Sequence, residues 1–293
     1  MAVKQSVESA TLPTVIRRAV GVFCSCVLLL ACILGVQRLS HTSREQPMVV
    51  TLVNGDVLSA GGTSGCHTFV GLPFSCDQHS VTTAERQARS GRWQSAGQLT
   101  TPRTEGSITL LRDGRVFIAG GLRYFDQGYP ETLGTAEIYD PATGKWIVTA
   151  AMFEPRARHV ATLLADGRVL VTGGQSGVVN TTAEIYDPVT DTWQTTTPPY
   201  AGRWRHTATL LQTGAVLVVG GDTTVDYFGT TAEIYYPVTN TWRSARDMAI
   251  GRTGHTATLL PDGRVAVAGG DGPGGPLTST DYYDPATDQW TAV

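Results

Sequence analysis

Charged side chains are scarce in this 293-residue sequence, at 16% of all residues, and basic ones are the scarcer kind. From residue 41 onward the chain has 18 basic and 24 acidic residues, a net charge of −6. Because nucleic-acid binding depends on basic surface, this balance argues against a nucleic-acid partner. The chain also lacks a phosphate-binding loop, a nucleophile elbow and a metalloprotease motif, so we predict no cofactor and no metal.

What the sequence does contain is a fivefold repeat. Each copy has a paired glycine, and the pairs lie at Gly61-Gly62, Gly120-Gly121, Gly173-Gly174, Gly220-Gly221 and Gly269-Gly270. Each copy also closes on a tryptophan, at Trp93, Trp146, Trp193, Trp242 and Trp290. A unit that recurs about every 50 residues indicates a modular fold built from one supersecondary structure.

Within a copy the pattern predicts four antiparallel strands. The first strand is the alternating segment HTATLL (206–211), and the second is an apolar run that follows a turn and ends in the glycine pair. The third is TAEIYD (182–187), which ends at Pro188, and the fourth begins at Trp193. Asn-Gly or Asp-Gly at four of the five first turns predicts two-residue hairpins with φ > 0 at both central residues. Four such strands make one propeller blade, with the tryptophans and the tyrosines Tyr139, Tyr186, Tyr235 and Tyr283 as core.

The apolar run, the double glycine and the Tyr and Trp at fixed offsets resemble the kelch repeat. HTATLLPDGRVAVAGG (255–270) is similar to the central propeller domain of galactose-oxidase-like proteins. The resemblance implies an all-β, kelch-type β-propeller with five recognisable four-stranded blades, either closed as five or an incomplete part of a six- or seven-bladed ring. It covers residues 44–293, in repeats of about 44–102, 103–155, 156–202, 203–251 and 252–293.

The first 43 residues are of another kind. Residues 1–18 carry Arg17 and Arg18, residues 19–36 form an uncharged apolar run, and residues 37–43 are a linker. As a helix the run would extend about 27 Å, close to the roughly 30 Å of a bilayer core. We predict a hydrophobic N-terminal helix serving as an uncleaved signal-anchor, with the propeller outside the cytoplasm. A cleaved signal peptide and a lipoprotein box ending at Cys32 are the alternatives.

Two cysteines flank a loop of the first repeat, Cys66 and Cys76. Our hypothesis is a disulfide, which suits an oxidising compartment. Two free thiols remain an alternative, as does a zinc site using His67 and His79.

In an up-and-down blade, the entry of strand one and the connection between strands two and three lie at the same face of the disc. That connection varies from copy to copy, while the Asp-Gly turns opposite hardly change. We call the two faces the loop face and the turn face. Aromatic side chains concentrate in the variable loops, at Phe69, Phe74, Tyr124, Phe125, Tyr129, Tyr227 and Phe228. Aromatics in surface loops favour ligand contact.

An arginine stands 17 residues before the first glycine of every pair, at Arg44, Arg103, Arg156, Arg203 and Arg252. By resemblance these positions line the central channel, where kelch scaffolds meet acidic peptides. The functional interpretation is a ring of guanidinium groups for carboxylate or sulfate. The structural alternative pairs each arginine with Glu85, Glu137, Glu184 or Glu233 of a neighbouring blade.

Three repeat-equivalent histidines, His159, His206 and His255, follow three residues after an arginine and are interpreted as structural rather than metal-binding. The sequence contains no Tyr-His dipeptide, which argues against the copper site of galactose oxidase. A sugar epimerase-like enzyme of the kelch class is the alternative to our main prediction. That prediction is a non-catalytic, exported or membrane-tethered module that binds a protein or glycan. Its predicted ligand-binding residues are the five arginines with Tyr124, Phe125, Trp204 and Tyr227.

Overall fold

The computed structural model describes residues 46–64, 79–125, 128–224 and 227–292. It contains five four-stranded antiparallel sheets in chain order, which are the predicted blades. The predicted N-terminal helix at 19–36, Arg44 and the Cys66–Cys76 pair lie outside the described residues. Within the part of the chain that is described, no helix is long and apolar enough to cross a membrane.

The strands of each blade are as follows. Blade 1 contains β1 (Met48–Thr51), β2 (Val57–Ala60), β3 (Thr63–Ser64), β4 (His79–Ser80), β5 (Thr83–Gln87) and β6 (Trp93–Gln98). Blade 2 contains β7 (Ser107–Leu110), β8 (Val116–Ala119), β9 (Leu122–Arg123), β10 (Glu131–Thr132), β11 (Ala136–Asp140) and β12 (Lys145–Thr149). Blade 3 contains β13 (Val160–Leu163), β14 (Val169–Thr172), β15 (Ala183–Asp187) and β16 (Thr192–Thr195). Blade 4 contains β17 (Arg203–Trp204), β18 (Thr207–Leu210), β19 (Val216–Val219), β20 (Asp222–Thr223), β21 (Ala232–Tyr236) and β22 (Thr241–Ala245). Blade 5 contains β23 (Thr256–Leu259), β24 (Val265–Ala268), β25 (Asp271–Gly272), β26 (Gly275–Pro276), β27 (Thr280–Asp284) and β28 (Gln289–Ala292). The four longer strands of each blade form its sheet, and the two-residue strands pair separately, β3 with β4, β9 with β10, β17 with β20 and β25 with β26.

The second strand of the blade is the most apolar because a neighbouring blade covers each of its faces. β8, β14 and β19 are buried at every residue, and their sequences VFIA, VLVT and VLVV run apolar instead of alternating. A strand buried on both faces requires this pattern. The outer strands are mostly polar and exposed, as in β16 and β22.

The first hairpin turn differs from the prediction. In blade 2 the Leu111 N–H donates to the Arg115 carbonyl and the Gly114 N–H donates to the Leu111 carbonyl. Only the glycine has a positive φ, 85° at Gly114, whereas Asp113 does not. The connection is therefore a three-residue turn closed by a glycine in the left-handed region, not a two-residue turn. Because the residue before the glycine needs no positive φ, Thr213 can replace Asn or Asp there.

The predicted aromatic core is confirmed for the four tyrosines, Trp193 and Trp242, which are buried, whereas Trp93, Trp146 and Trp290 are only partly buried. Tyr186 and Trp193 of blade 3 lie in one buried cluster with Phe117 of blade 2, and the Phe117 and Tyr186 rings stack at 4.4 Å. The Tyr186 hydroxyl donates to the Asp191 carboxylate at 2.9 Å, and the Trp193 indole N–H donates to the Ala150 carbonyl of blade 2 at 2.8 Å. Such clusters join blades 1 and 2, 2 and 3, 3 and 4, and 4 and 5. Among the described residues none joins blade 5 to blade 1.

Candidate functional site

The repeated arginines are buried inside their blades. Arg103, Arg156, Arg203 and Arg252 are 0–2% exposed. Arg156 donates to the Gly173 and Thr182 carbonyls, to the Thr182 hydroxyl and to Glu184, whose Oε1 is 2.6 Å away. The other three make the same bonds, to Glu137, Glu233 and Asp281. In this structure their guanidinium groups present no surface to a ligand.

The paired carboxylates also hold the connectors between blades. Glu184 accepts hydrogen bonds from the Phe153 and Glu154 amides, and Glu137 accepts them from Thr100 and Thr101. Each carboxylate belongs to the same blade as its arginine, so the expectation of a neighbouring-blade carboxylate was wrong. The arginines have a structural role, as that alternative held, but each forms an ion pair that fixes the entry segment to its own sheet.

The three histidines are also structural. His159, His206 and His255 are 5–7% exposed, and their Nε2 atoms lie 2.8–2.9 Å from the hydroxyl groups of Ser107, Thr172 and Thr207 in the preceding blade. Burial and the adjacent arginine lower the pKa of His159 to about 3 and that of His255 to about 4. The pKa of His206 is likewise lowered by burial and by Arg203. No cluster of three potential metal ligands occurs in the described ranges.

The partly exposed polar groups of the loop face begin two residues after each repeated arginine. Gln46, Glu105, Arg158, Arg205 and Gly254 occupy this position, and all have φ between 52° and 63°. The Arg158 N–H donates to the Glu105 carbonyl, the Arg205 N–H to the Arg158 carbonyl and the Gly254 N–H to the Arg205 carbonyl. These main-chain bonds run from blade to blade at the entry of the innermost strands. We call residues 105, 158, 205 and 254 the collar.

The collar side chains form an asymmetric polar cluster. Arg158 bonds to both carboxylate oxygens of Glu105, at 2.6 and 3.0 Å, and its guanidinium lies 5.2 Å from the Trp204 ring centre. Arg205 lies 5.8 Å from the same ring, 3.9 Å from Asp222 and 3.6 Å from Asp271. The Trp204 ring therefore lies near the guanidinium groups of both Arg158 and Arg205, and Arg158 is in addition paired with Glu105.

Two titratable groups beside the collar are perturbed. Asp222 is 3% exposed, and its carboxylate lies beside the Arg205 guanidinium and the Thr253 hydroxyl. Burial raises the pKa of Asp222, while Arg205 opposes that shift. Burial, and then Glu105, raises the pKa of Tyr124. A buried carboxyl group beside an arginine in an exposed cluster is a feature of sites that bind ligands or move protons.

Of the predicted aromatic residues, Phe69 and Phe74 lie outside the described residues, and the others lie in or beside the loops of the loop face. The Phe125 ring, 41% exposed, carries the Arg123 guanidinium at 4.7 Å, and Tyr227, 74% exposed, packs edge-on against Phe228 at 5.3 Å. Other exposed apolar side chains of the loops and connectors join them, at Tyr129, Phe153, Val178, Tyr200 and Ile250.

Parts of this chain are similar to known protein sequences. A family model described as the kelch motif matches residues 156–199. The chain is 24% identical over 135 residues to the kelch-like protein terF of Aspergillus terreus, covering 44% of this chain and 27% of that protein. It is 31% identical over 96 residues to an F-box/kelch-repeat protein of Arabidopsis thaliana, covering 29% and 20% of the two chains. The chain thus spans about a quarter or less of these relatives.

Solved structures agree on the fold. YjhT superposes with a TM-score of 0.65 at 12% identity, covering 85% of this chain and 84% of that chain. A copper-bound fungal alcohol oxidase of the AA5 family superposes with a TM-score of 0.52 at 15% identity, covering 86% and 65%. This chain therefore carries a kelch repeat at residues 156–199 and is similar to kelch-repeat proteins.

The side chains of the collar and the two aspartates beside it are the functional candidates that the sequence analysis did not identify. Trp204 was predicted, but Glu105, Arg158, Arg205, Asp222 and Asp271 were not. Their signal was available: the positions directly after the buried arginine and after the glycine pair change from copy to copy within otherwise uniform kelch repeats. A position that varies inside a uniform repeat is free of the packing that fixes its neighbours.

Proposed function

We propose that this kelch protein is a non-catalytic binding module that holds a protein or glycan on its loop face. The observation that carries the proposal is the contrast between the two faces. The loop face combines the collar cluster with exposed aromatic groups, whereas the turn face repeats Asp–Arg pairs such as Asp166–Arg168 and Asp262–Arg264. Aromatic residues and arginine are the residue types enriched where proteins bind ligands and partners.

The contacts of the collar favour a ligand with both polar and flat apolar parts. Arg158 has about a third of its side chain exposed while its carboxylate partner fixes its orientation. Trp204 is half-buried, so part of its ring packs against the protein and part is accessible to a ligand. Rigid aromatic and guanidinium groups lose little freedom on binding, which favours affinity.

Binding to immobilised probes tests the proposal. The probes are a glycan panel with acidic and neutral members and a library of displayed random peptides. We expect a selected probe to bind wild type and to lose at least about tenfold in affinity with Arg158→Gln or Tyr227→Ser. The matched controls are Arg264→Gln and Val238→Ser on the turn face, where both side chains are exposed. Equal losses in the turn-face variants would contradict the proposal.

We also propose that the module is exported or membrane-tethered through residues 19–36. The support is the length of the uncharged run and the oxidisable Cys66–Cys76 pair in the sequence. Protease added to intact cells should cleave the propeller, and the non-reduced protein should have no free thiol at these two positions. Protection both in intact cells and in cells whose outer envelope has been opened, with cleavage only after the cytoplasmic membrane is lysed, would refute this placement.

A kelch-class enzyme, such as a sugar epimerase-like protein, is the second candidate. Asp222 favours it, since a buried carboxyl group with a raised pKa beside Arg205 suits general acid–base chemistry. Proton exchange at sugar carbons in D₂O, followed by NMR across the same glycan panel, would reveal such an activity. Its loss in Asp222→Asn, with probe binding retained, would assign the chemistry to this group.

A further inference from the structure

The outer strand of blade 2 carries exposed aliphatic side chains. β12 (Lys145–Thr149) has the sequence KWIVT, and its central residues Ile147 and Val148 are 57% and 53% exposed. The strand is the outermost one of its sheet, whose order is β12-β11-β8-β7. These two side chains therefore lie at the rim of the blade, not between blades.

No other blade has a large aliphatic residue at these two positions. They directly follow the tryptophan that closes each repeat, and in the other blades they are occupied by Gln94 and Ser95, Gln194 and Thr195, Arg243 and Ser244, and Thr291 and Ala292. All of these side chains are exposed. Because four blades fold without an aliphatic pair there, the packing of a blade does not require Ile147 and Val148.

The free edge of β12 is open. Its ladder with β11 uses one edge, from Ala136 opposite Thr149 to Asp140 opposite Lys145. Within the described residues, no main-chain N–H or C=O of 145–149 forms a hydrogen bond outside that ladder. An open edge can pair with a further strand, and proteins commonly protect such edges with charged side chains, as Arg243 does in β22. In β12 the edge is both open and apolar.

The composition of β12 also favours strand pairing. Trp, Ile, Val and Thr, its last four residues, are all types enriched in strands. A short exposed segment of high strand propensity without proline is prone to pair with another strand.

The strand is complementary to a second copy of itself. In an antiparallel pair centred on Ile147, Ile147 lies opposite its counterpart, Trp146 opposite Val148, and Lys145 opposite Thr149. An aromatic residue opposite a β-branched one stabilises a strand pair, and no like charges are opposed. Each facing pair joins residues an even number of positions apart. Whichever alternate N–H and C=O groups point outward, they therefore meet the same set in the partner.

The other outer strands lack this complementarity. The equivalent pairing of β22 would place Arg243 opposite a second Arg243, and like charges directly opposite each other are destabilising. That of β16 would place Gln194 opposite Gln194, with little apolar surface to bury. Blade 2 is thus the blade whose rim favours self-association.

We propose that β12 pairs with β12 of a second copy of this chain, antiparallel and centred on Ile147. The two four-stranded sheets would then join across a twofold axis, with the same surface contributed by both copies. One pair of five-residue strands covers less than the roughly 1,000 Å² of a stable interface, so the association should be weak and depend on protein concentration. This inference concerns the rim and is independent of the ligand proposed for the loop face.

Disulfide trapping of the whole purified chain tests both the surface and the register. Ile147→Cys places two thiols directly opposite each other, close to the span of a disulfide, whereas the two thiols of Val148→Cys would be displaced along the strands by two residues. After mild oxidation, we expect mass spectrometry to detect the linked peptides containing residue 147 at least about tenfold more strongly than those containing residue 148. Gln194→Cys, at the equivalent exposed position of β16, is the matched control and should link no better than Val148→Cys.

Sedimentation over a range of concentrations measures the association itself. We expect the wild-type chain to form dimers as its concentration rises. Ile147→Lys would oppose two lysines at the centre of the pair and should weaken association at least about tenfold, whereas Gln194→Lys should leave it unchanged. Both positions are exposed, so neither variant should shift the midpoint of urea unfolding.

Each other outcome overturns the proposal. Equal linking at positions 147 and 148 would indicate random collision or aggregation instead of a defined register. A dimer that survives Ile147→Lys would assign the contact to another surface. A chain that stays monomeric at every concentration and does not link through residue 147 would show that this edge does not receive a second copy.

Discussion

The buried histidines should make the stability of the propeller depend on pH, and His159 allows the effect to be calculated. Its pKa is about 3 in the folded protein, because of burial and the charges of Arg156 and Arg103, and about 6.5 in an unfolded chain. A lowered pKa means that the unfolded chain binds the proton more readily. Stability is therefore complete above about pH 6.5 and falls as the pH drops toward 3.

The size of the effect follows from the same values. At pH 5 an unfolded histidine is about 1.5 pH units below its pKa, and each unit corresponds to about 1.4 kcal/mol. His159 should thus remove about 2 kcal/mol from the free energy of unfolding between pH 7 and pH 5. Urea denaturation of wild type and His159→Gln at both pH values measures the difference, since glutamine does not titrate.

Ser107→Ala is the matched control. It removes the hydroxyl group 2.8 Å from the His159 Nε2 and leaves the imidazole buried. We expect it to cost about 1 kcal/mol at pH 7 but to keep the wild-type pH dependence. If His159→Gln loses as much stability between pH 7 and pH 5 as wild type does, the imidazole is not held neutral, and the reasoning fails.

Three further predictions concern the blades and their joints, each read out by urea denaturation. Arg156→Ala should cost about 3–5 kcal/mol because it leaves Glu184 buried without its cation, whereas Arg158→Ala, at the partly exposed collar, should cost about 1 kcal/mol or less; equal costs would contradict the assignment of structural and exposed roles. Gly120→Ala should be clearly more destabilising than Gly269→Ala, since both have a positive φ but only the first would place a Cβ 2.3 Å from a carbonyl oxygen; similar values would mean that backbone conformation alone sets the cost. Tyr186→Phe should cost about 1 kcal/mol through its lost bond to Asp191, and an unchanged midpoint would show that this bond adds nothing net.

The blades could be predicted from the sequence because their signals are local and repeated. The strands that begin near Ala183 and Trp193, the buried tyrosines and the two unlike faces of the disc all follow from periodicity and turn residues. The hairpin turn was assigned wrongly because Asp-Gly occurs both in two-residue turns and in the three-residue turn seen at Asp113-Gly114. Hydrogen-bond geometry, not residue identity, separates the two.

The site was harder to predict because the same residue type serves two roles. Arg156 and Arg158 are two positions apart, yet one is fully buried against Glu184 and the other is partly exposed at the collar. The arginine that recurs at the entry of every blade is the more regular pattern in the sequence, but it marks the buried residues and not the collar. Asp222 stands at a position that varies from copy to copy, but the sequence does not show that its carboxylate is buried.

Hydrogen bonds between peptide groups link the collar residues of neighbouring blades, and this affects how the protein can change during evolution. The Arg158 and Arg205 amides and carbonyls make hydrogen bonds between blades that a change of side chain does not remove, although the Arg158 side chain also pairs with Glu105 of blade 2 and that of Arg205 with Asp271 of blade 5. Substitution there can alter the charge and shape of the loop face while keeping these main-chain bonds between the blades. Recognition and folding are therefore separable by position within a single three-residue segment, and a lineage can acquire a new ligand without passing through an unstable ancestor.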